Sequence, residues 1–264
     1  MTQSWILAIV TVVTYFPLVL VSFKLVAKYS ISRGDGWVLL LVFSIIRVLG
    51  GVLCFTAAYV TNTSSDKLQS GSYALQSSGL SPLLLCTLGL LHSILQTPDG
   101  FSRYYNRQFR LLQLLGMAAF VLTIIGISSV SISNLNLYRM CMAGVILFCI
   151  LYIILVGICL YIWTQIRFVM RYHKRLLKAV SITLPFLAVR TLYSVLSTAS
   201  WANQEQFDIT SDECQWEIYL AMDMLMEYAV VIIYAVAGFV LPLNEDYKSA
   251  DSYQDEYPLS RPQM

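Results

Sequence analysis

Four charged side chains lie in stretches of the sequence that are otherwise almost wholly apolar. Arg47 and Arg190 each sit inside a long apolar run, and Asp223 and Glu227 are two acids well inside the last such run. A carboxylic acid that stays neutral in apolar surroundings can donate a proton to a substrate, and an arginine beside it can orient that acid. We therefore take Glu227 and Asp223 as candidate catalytic acids, and Arg47 and Arg190 as candidate substrate-binding or orienting residues.

The composition indicates a membrane protein. Of the 264 residues, 58% are hydrophobic and 12% are charged, whereas soluble domains carry about 25% charged residues. The mean hydropathy is +0.68. A net charge of +2 without a basic tract gives no reason to expect a nucleic-acid partner. The expected partners are the lipid bilayer and a lipophilic small molecule, and the sequence leaves the oligomeric state open.

Seven apolar runs reach the length of about 20 residues that a bilayer requires. Unpaired backbone groups are not tolerated in lipid, so each run must be a helix. The predicted fold is an all-α polytopic membrane bundle of seven transmembrane helices over residues 4–26, 37–60, 73–96, 109–131, 138–166, 176–200 and 216–241. Pro17, Pro82 and Pro185 lie inside these runs and are predicted to kink them.

Basic residues set the predicted orientation. Eleven lysines and arginines follow spans one, three and five, whereas only Lys67 and Arg139 follow spans two, four and six. The positive-inside rule then places the N-terminus outside and the C-terminus in the cytosol.

Asn62 begins a glycosylation sequon in a loop assigned to the outside. Residues 1–243 are predicted to form the transmembrane domain, and the polar residues 244–264 a disordered cytosolic tail.

The sequence gives no sign of a metal site or a cofactor. No Walker A, Rossmann, HExxH or CxxC pattern is present, and His92 and His173 are the two histidines. Five of the six cysteines lie inside apolar runs, which argues against a disulfide framework. We therefore predict neither a metal nor a cofactor.

The depths of the four charges predict that they meet. At about 1.5 Å per residue, Glu227 lies roughly 16 Å, Arg190 about 15 Å and Arg47 about 20 Å below the outer ends of their spans. Asp223 is four residues from Glu227 and shares its helical face. Arg47 is therefore expected to meet Glu227 or Asp223 in a layer without net charge. Such pairs can equally hold a bundle together without doing chemistry. Tyr193, and with it Tyr228 and Tyr234, could line the same layer.

A short pattern occurs twice. Phe43-x-x-Ile46-Arg47-x-Leu49-x-x-Val52-Leu53 recurs as Phe186-x-x-Val189-Arg190-x-Leu192-x-x-Val195-Leu196. Both copies lie on helices that run in the same direction. This favours a repeat of spans one to three and five to seven around a linking fourth span.

Four longer stretches carry a family resemblance: GWVLLLVFSIIRVLGG, SSGLSPLLLCTLGLL, LPFLAVRTLYSVLS and MEYAVVIIYAVAG. Together they resemble a family of fungal seven-helix membrane proteins classed as a domain of unknown function. The likeness covers roughly residues 5–241. It implies seven spans and a fungal source. Some fungal multi-pass proteins of similar size are terpene cyclases of secondary metabolism, and this suggests an activity by analogy alone.

Three functions fit these features. The first is an intramembrane, acid-catalysed cyclase of an isoprenoid substrate, with aromatic rings such as that of Tyr193 near a developing carbocation. The second is a transporter or exporter of small molecules or lipids, which the repeat favours. The third is a seven-helix receptor, for which the sequence lacks a DRY-like triplet and an NPxxY motif. The endoplasmic reticulum and the plasma membrane are the expected locations.

Overall fold

The described part of the chain is entirely helical. The computed structural model describes residues 2–29, 35–59, 79–95, 102–128, 135–164, 171–203 and 220–240. Within them the helices are α1 (Thr2–Tyr29), α2 (Asp35–Tyr59), α3 (Leu80–Leu95), α4 (Ser102–Ser128), α5 (Leu135–Thr164), α6 (Arg171–Asn203) and α7 (Met226–Val240). A π-helical turn, Leu220–Leu225, leads directly into α7. Six of the seven are long and apolar enough to cross a membrane, which gives the protein a multi-pass helical character.

The third helix departs from the prediction. A span over residues 73–96 was expected, but α3 has 16 residues and begins at Leu80. Pro82 therefore lies in its first turn and does not kink it. This position suits proline, because the first N–H groups of a helix have no partner within the helix. Asn62 and residues 244–264 lie outside the described residues, so glycosylation and the tail stay predictions, as does the orientation of the termini.

Helix α3 forms the centre of the bundle. Every side chain from Leu80 to Leu91 is buried, and α3 packs against α2, α4, α5 and α6. A helix that is apolar on all sides belongs in such an interior. The other six helices instead expose large apolar side chains on their outer faces, among them Val13, Leu114 and Ile153. Those faces suit contact with lipid tails.

The remaining contacts close the bundle around α3. Helix α1 packs against α2 and α7, α4 against α5, α5 against α6, and α6 against α7. Gly51 on α2 permits the close approach of α1, because a Cβ atom there would lie 2.9 Å from Cγ2 of Val12. Small residues at helix contacts are typical of membrane bundles. This packing brings the middle of α1, α2 and α6 to the start of α7.

Candidate functional site

Arg47, Arg190, Asp223 and Glu227 form one closed cluster, which we call the ion-pair ring. Nη2 of Arg47 contacts Oδ2 of Asp223 at 3.3 Å and also contacts Oε2 of Glu227. Arg190 contacts Oδ1 of Asp223 through Nη1 at 2.6 Å and Oε1 of Glu227 through Nε at 2.9 Å. Each carboxylate is thus shared by both arginines, and each of the four carboxylate oxygens lies in ion-pair contact with one arginine nitrogen.

The ring is buried at the middle of its helices. Relative exposure is 2% for each arginine, 1% for Asp223 and 0% for Glu227. Arg47 is the thirteenth of the 25 residues of α2, and Arg190 is the twentieth of the 33 residues of α6. The sequence predicted that Arg47 meets Glu227 or Asp223, and it meets both. A lone charge at this depth would be costly, whereas the ring carries no net charge.

Tyr15 is a neighbour of the ring that the sequence analysis missed. It is the fourteenth of the 28 residues of α1, and its hydroxyl donates a long hydrogen bond, 3.5 Å, to Oε2 of Glu227. The centroids of the aromatic rings of Tyr15 and Phe43 each lie 5.9 Å from Cζ of Arg47, within cation–π range. The one signal in the sequence was a hydroxyl near the middle of an apolar run.

Tyr193, predicted to orient a substrate, lies beside the second arginine. Cζ of Arg190 is 6.0 Å from the centroid of its ring. Ser194, on the next position of α6, accepts a hydrogen bond of 3.0 Å from Nη1 of Arg190. Among the described residues, Tyr228 does not contact the ion-pair ring through a hydrogen bond of its own, but its aromatic ring packs edge to face on that of Tyr15. The centroids of the two aromatic rings are 6.3 Å apart. Aromatic groups from three helices therefore flank the two guanidinium groups.

Tyr234 belongs to a second buried polar cluster. Its hydroxyl lies 2.8 Å from Oγ1 of Thr87 on α3 and 2.9 Å from Oγ1 of Thr183 on α6. It is seven residues beyond Glu227, roughly 10 Å further along the helix. Tyr234 therefore joins α3, α6 and α7 at another level of the bundle, where its hydroxyl bonds to two threonines and not to the ion-pair ring.

Gly79 brings the main chain before α3 against the ring. A Cβ atom at this residue would lie 2.8 Å from Nε and Nη2 of Arg47 and 2.8 Å from Oε1 of Glu227. Contacts this short require the charged groups to move. The ring therefore depends on a residue without a side chain at this position.

Replacing Gly79 by alanine should weaken the ring. The added methyl group would push apart Arg47 and Glu227, which are held on several sides by their other partners. We expect a loss of about 1–3 kcal/mol in the free energy of unfolding, as for other overpacked sites. Thermal unfolding in nanodiscs measures this loss. Gly157, where an added Cβ meets no atom within 4 Å, is the matched control, and an equal loss there would contradict the explanation.

The chemistry of the ring is that of ionic groups already paired with one another. Each carboxylate has two guanidinium partners, so the four charges compensate one another within the ring. Among the described residues, no group of three or more His, Cys, Asp or Glu side chains is placed to hold a metal ion. The arrangement can link helices strongly, and it can exchange partners when those helices move.

Comparison with protein families matches residues 1–244 of the chain to a family described as a domain of unknown function, DUF7702. The chain belongs to this family. The match includes all seven helices and the four residues of the ion-pair ring. The comparisons with curated proteins and with solved structures give no match. For this DUF7702 protein, function must therefore be argued from the site itself.

Proposed function

We propose that this DUF7702 protein transports a lipophilic small molecule across its membrane, and that the ion-pair ring rearranges during transport. The observation that carries the proposal is the sharing of both carboxylates of α7 between Arg47 of α2 and Arg190 of α6. Ionisable residues buried at mid-membrane commonly mark substrate pathways. Ion pairs between helices that move can adopt two discrete arrangements. In one arrangement all four charges are paired as in this structure, and in the other the arginines and acids have changed partners.

Six of the helix contacts support this proposal because they fit a three-one-three repeat, although the contact of α3 with α6 has no counterpart of similar extent between the described residues of α7 and α2. If α1, α2 and α3 correspond to α5, α6 and α7, the contact of α1 with α2 corresponds to that of α5 with α6. The contact of α2 with α3 then corresponds to the contact of α6 with α7. In the same way, the contact of α1 with α7 corresponds to the contact of α5 with α3. All six contacts occur. Arg47 and Arg190 occupy the same position of the repeated pattern. Repeats with a site between them are a common transporter design.

The acid-catalysed cyclase stays a prediction with less support from the geometry. A general acid must carry a proton to its substrate. Glu227 and Asp223 are each held between two guanidinium groups, and each of their four oxygens contacts an arginine nitrogen. Transport needs no proton on either carboxylate in the resting state. The ring is therefore better suited to coupling helices than to protonating an olefin or an epoxide.

The proposal is tested by deleting the gene in the native host and comparing metabolites in cells, membrane fractions and medium. Deletion should redistribute a finished compound between these fractions while its total amount stays similar. Wild-type protein should restore the distribution. Arg190→Lys should fail to do so at equal protein level, because lysine lacks the fork that binds both carboxylates. Arg110→Lys, at an exposed position of α4, is the control and should restore it. Accumulation of an unconverted precursor, with the product missing everywhere, would instead support an enzyme.

A further inference from the structure

Within the part of the chain that the structure describes, Arg190 keeps one donor without a hydrogen-bond partner, whereas every carboxylate oxygen of the ion-pair ring contacts an arginine. Arg190 uses Nε for Glu227 and Nη1 for Asp223 and Ser194. Its Nη2 is buried and has no hydrogen-bond partner among the described residues. All four carboxylate oxygens are already in contact with an arginine nitrogen. A buried, unsatisfied donor of this kind is unfavourable, and it suits a ligand that brings an acceptor.

Charge balance limits what such a ligand can be. The two arginines and two acids cancel, and an uncompensated buried charge is strongly unfavourable. An anion that binds to Arg190 adds one negative charge to the ring. Binding stays neutral only if one proton enters with the anion. Among the ring groups, Asp223 is the best acceptor for that proton, because its 3.3 Å contact with Arg47 is the longest of the four.

The groups around Asp223 support this assignment. Arg47 faces it from α2 and Arg190 from α6, while Glu227 lies on its own helix. Tyr15 of α1 contacts Glu227, and Gly79, just before α3, adds no side chain. Asp223 also lies in the π-helical turn, and such turns often occur at functional sites. A protonated Asp223 can release Arg47 while Glu227 keeps both arginines in place.

We propose that the transported substrate is a carboxylic acid with an apolar body, which binds through its carboxylate to Nη2 of Arg190 and enters with one proton, held by Asp223. This inference rests on the proposed transport function. The substrate carboxylate gains a charge-assisted hydrogen bond. The hydrophobic core of the bundle is formed mainly by leucine and aromatic side chains, which suits an apolar body. The step is electroneutral, so a proton gradient drives it and a membrane potential does not.

Calorimetry on the full chain in nanodiscs tests the inference. Benzoate and hexanoate are titrated at mildly acidic pH in phosphate and in imidazole, two buffers with different ionisation enthalpies. The difference between the two heats gives the protons taken up per ligand, and we expect about one. Arg190→Lys should weaken binding about tenfold or more, and Arg110→Lys should bind as wild type does. Asp223→Asn should bind either acid without proton uptake. The ion-pair ring of this variant has two arginines and one acid, so its net positive charge already compensates the bound carboxylate.

The inference is overturned if carboxylates bind to the wild-type protein without proton uptake, or if both acids fail to bind. Binding of benzylamine in place of benzoate would also overturn it. These outcomes are separate from the host experiment. If deletion redistributes a neutral or cationic compound, transport stands and the carboxylic-acid inference falls. If deletion leaves an unconverted precursor, transport itself falls, whatever the calorimetry gives.

Discussion

Replacing Glu227 by glutamine should lower the free energy of unfolding by about 3–5 kcal/mol, the range observed when one partner of a buried ion pair is removed. Glu227 is 0% exposed and is bound by both arginines. Its loss leaves two buried guanidinium groups with one carboxylate between them. Thermal unfolding in nanodiscs, with detection by size-exclusion chromatography, measures the loss.

A second substitution separates charge imbalance from lost packing. Combining Glu227→Gln with Arg47→Gln leaves the pair of Arg190 and Asp223, 2.6 Å apart, and restores neutrality. The double variant should therefore be more stable than Glu227→Gln alone, with a coupling of about 0.5–3 kcal/mol. Combining Glu227→Gln with Arg110→Gln, on the exposed face of α4, should give no such recovery. Additive losses in both double variants would contradict the ring as a charge-balanced unit.

Removing the whole ring should leave the fold at least as stable as the wild type. The apolar ring variant carries Arg47→Met, Arg190→Met, Asp223→Val, Glu227→Met and Tyr15→Phe. Well-packed apolar residues in place of a buried ionic network often keep or raise stability, by about 1–4 kcal/mol, because no charge has to leave water. A melting temperature equal to or above that of the wild type is expected. Unfolding comparable to that of Glu227→Gln would show that the ring is needed to hold the helices together.

The sequence predicts the ring because the physics of buried charge leaves few alternatives. Arg47 and Arg190 stand in apolar helices at similar depth, and two acids stand on one face of another helix, so pairing was the arrangement without an unpaired charge. The apolar run lengths likewise predict the ends of the long helices to within seven residues, when the π-helical turn is counted with α7. These features depend on strong and local signals.

Other parts of the site carry no such signal. Tyr15 is neutral, and its hydroxyl is not forced to find a charged partner. Gly79 touches the ring only because α3 begins beside it, and the start of α3 depends on how the chain enters the bundle. The π-helical turn that carries Asp223 has no recognised pattern in the sequence. Each of these depends on tertiary contacts between helices distant in the chain.

The function does not follow from the positions of the four residues alone. The same residues could serve as a purely structural link between helices or as groups that change partners during transport. The difference lies in whether the ring is dispensable once the helices are stably packed. A purely structural link between helices can be replaced by apolar side chains without loss of function. An element that exchanges partners during transport cannot, because apolar side chains offer neither a charge nor a donor to the substrate.

The most direct test is therefore the distribution of metabolites in a host whose own gene is replaced by that of the apolar ring variant. Protein level and melting temperature are first matched to those of the wild type. We predict the same redistribution of the finished compound between cells and medium as in the deletion strain, although the protein is folded. A wild-type distribution in this strain would contradict the account, because the ion-pair ring would then be a structural feature with no part in transport.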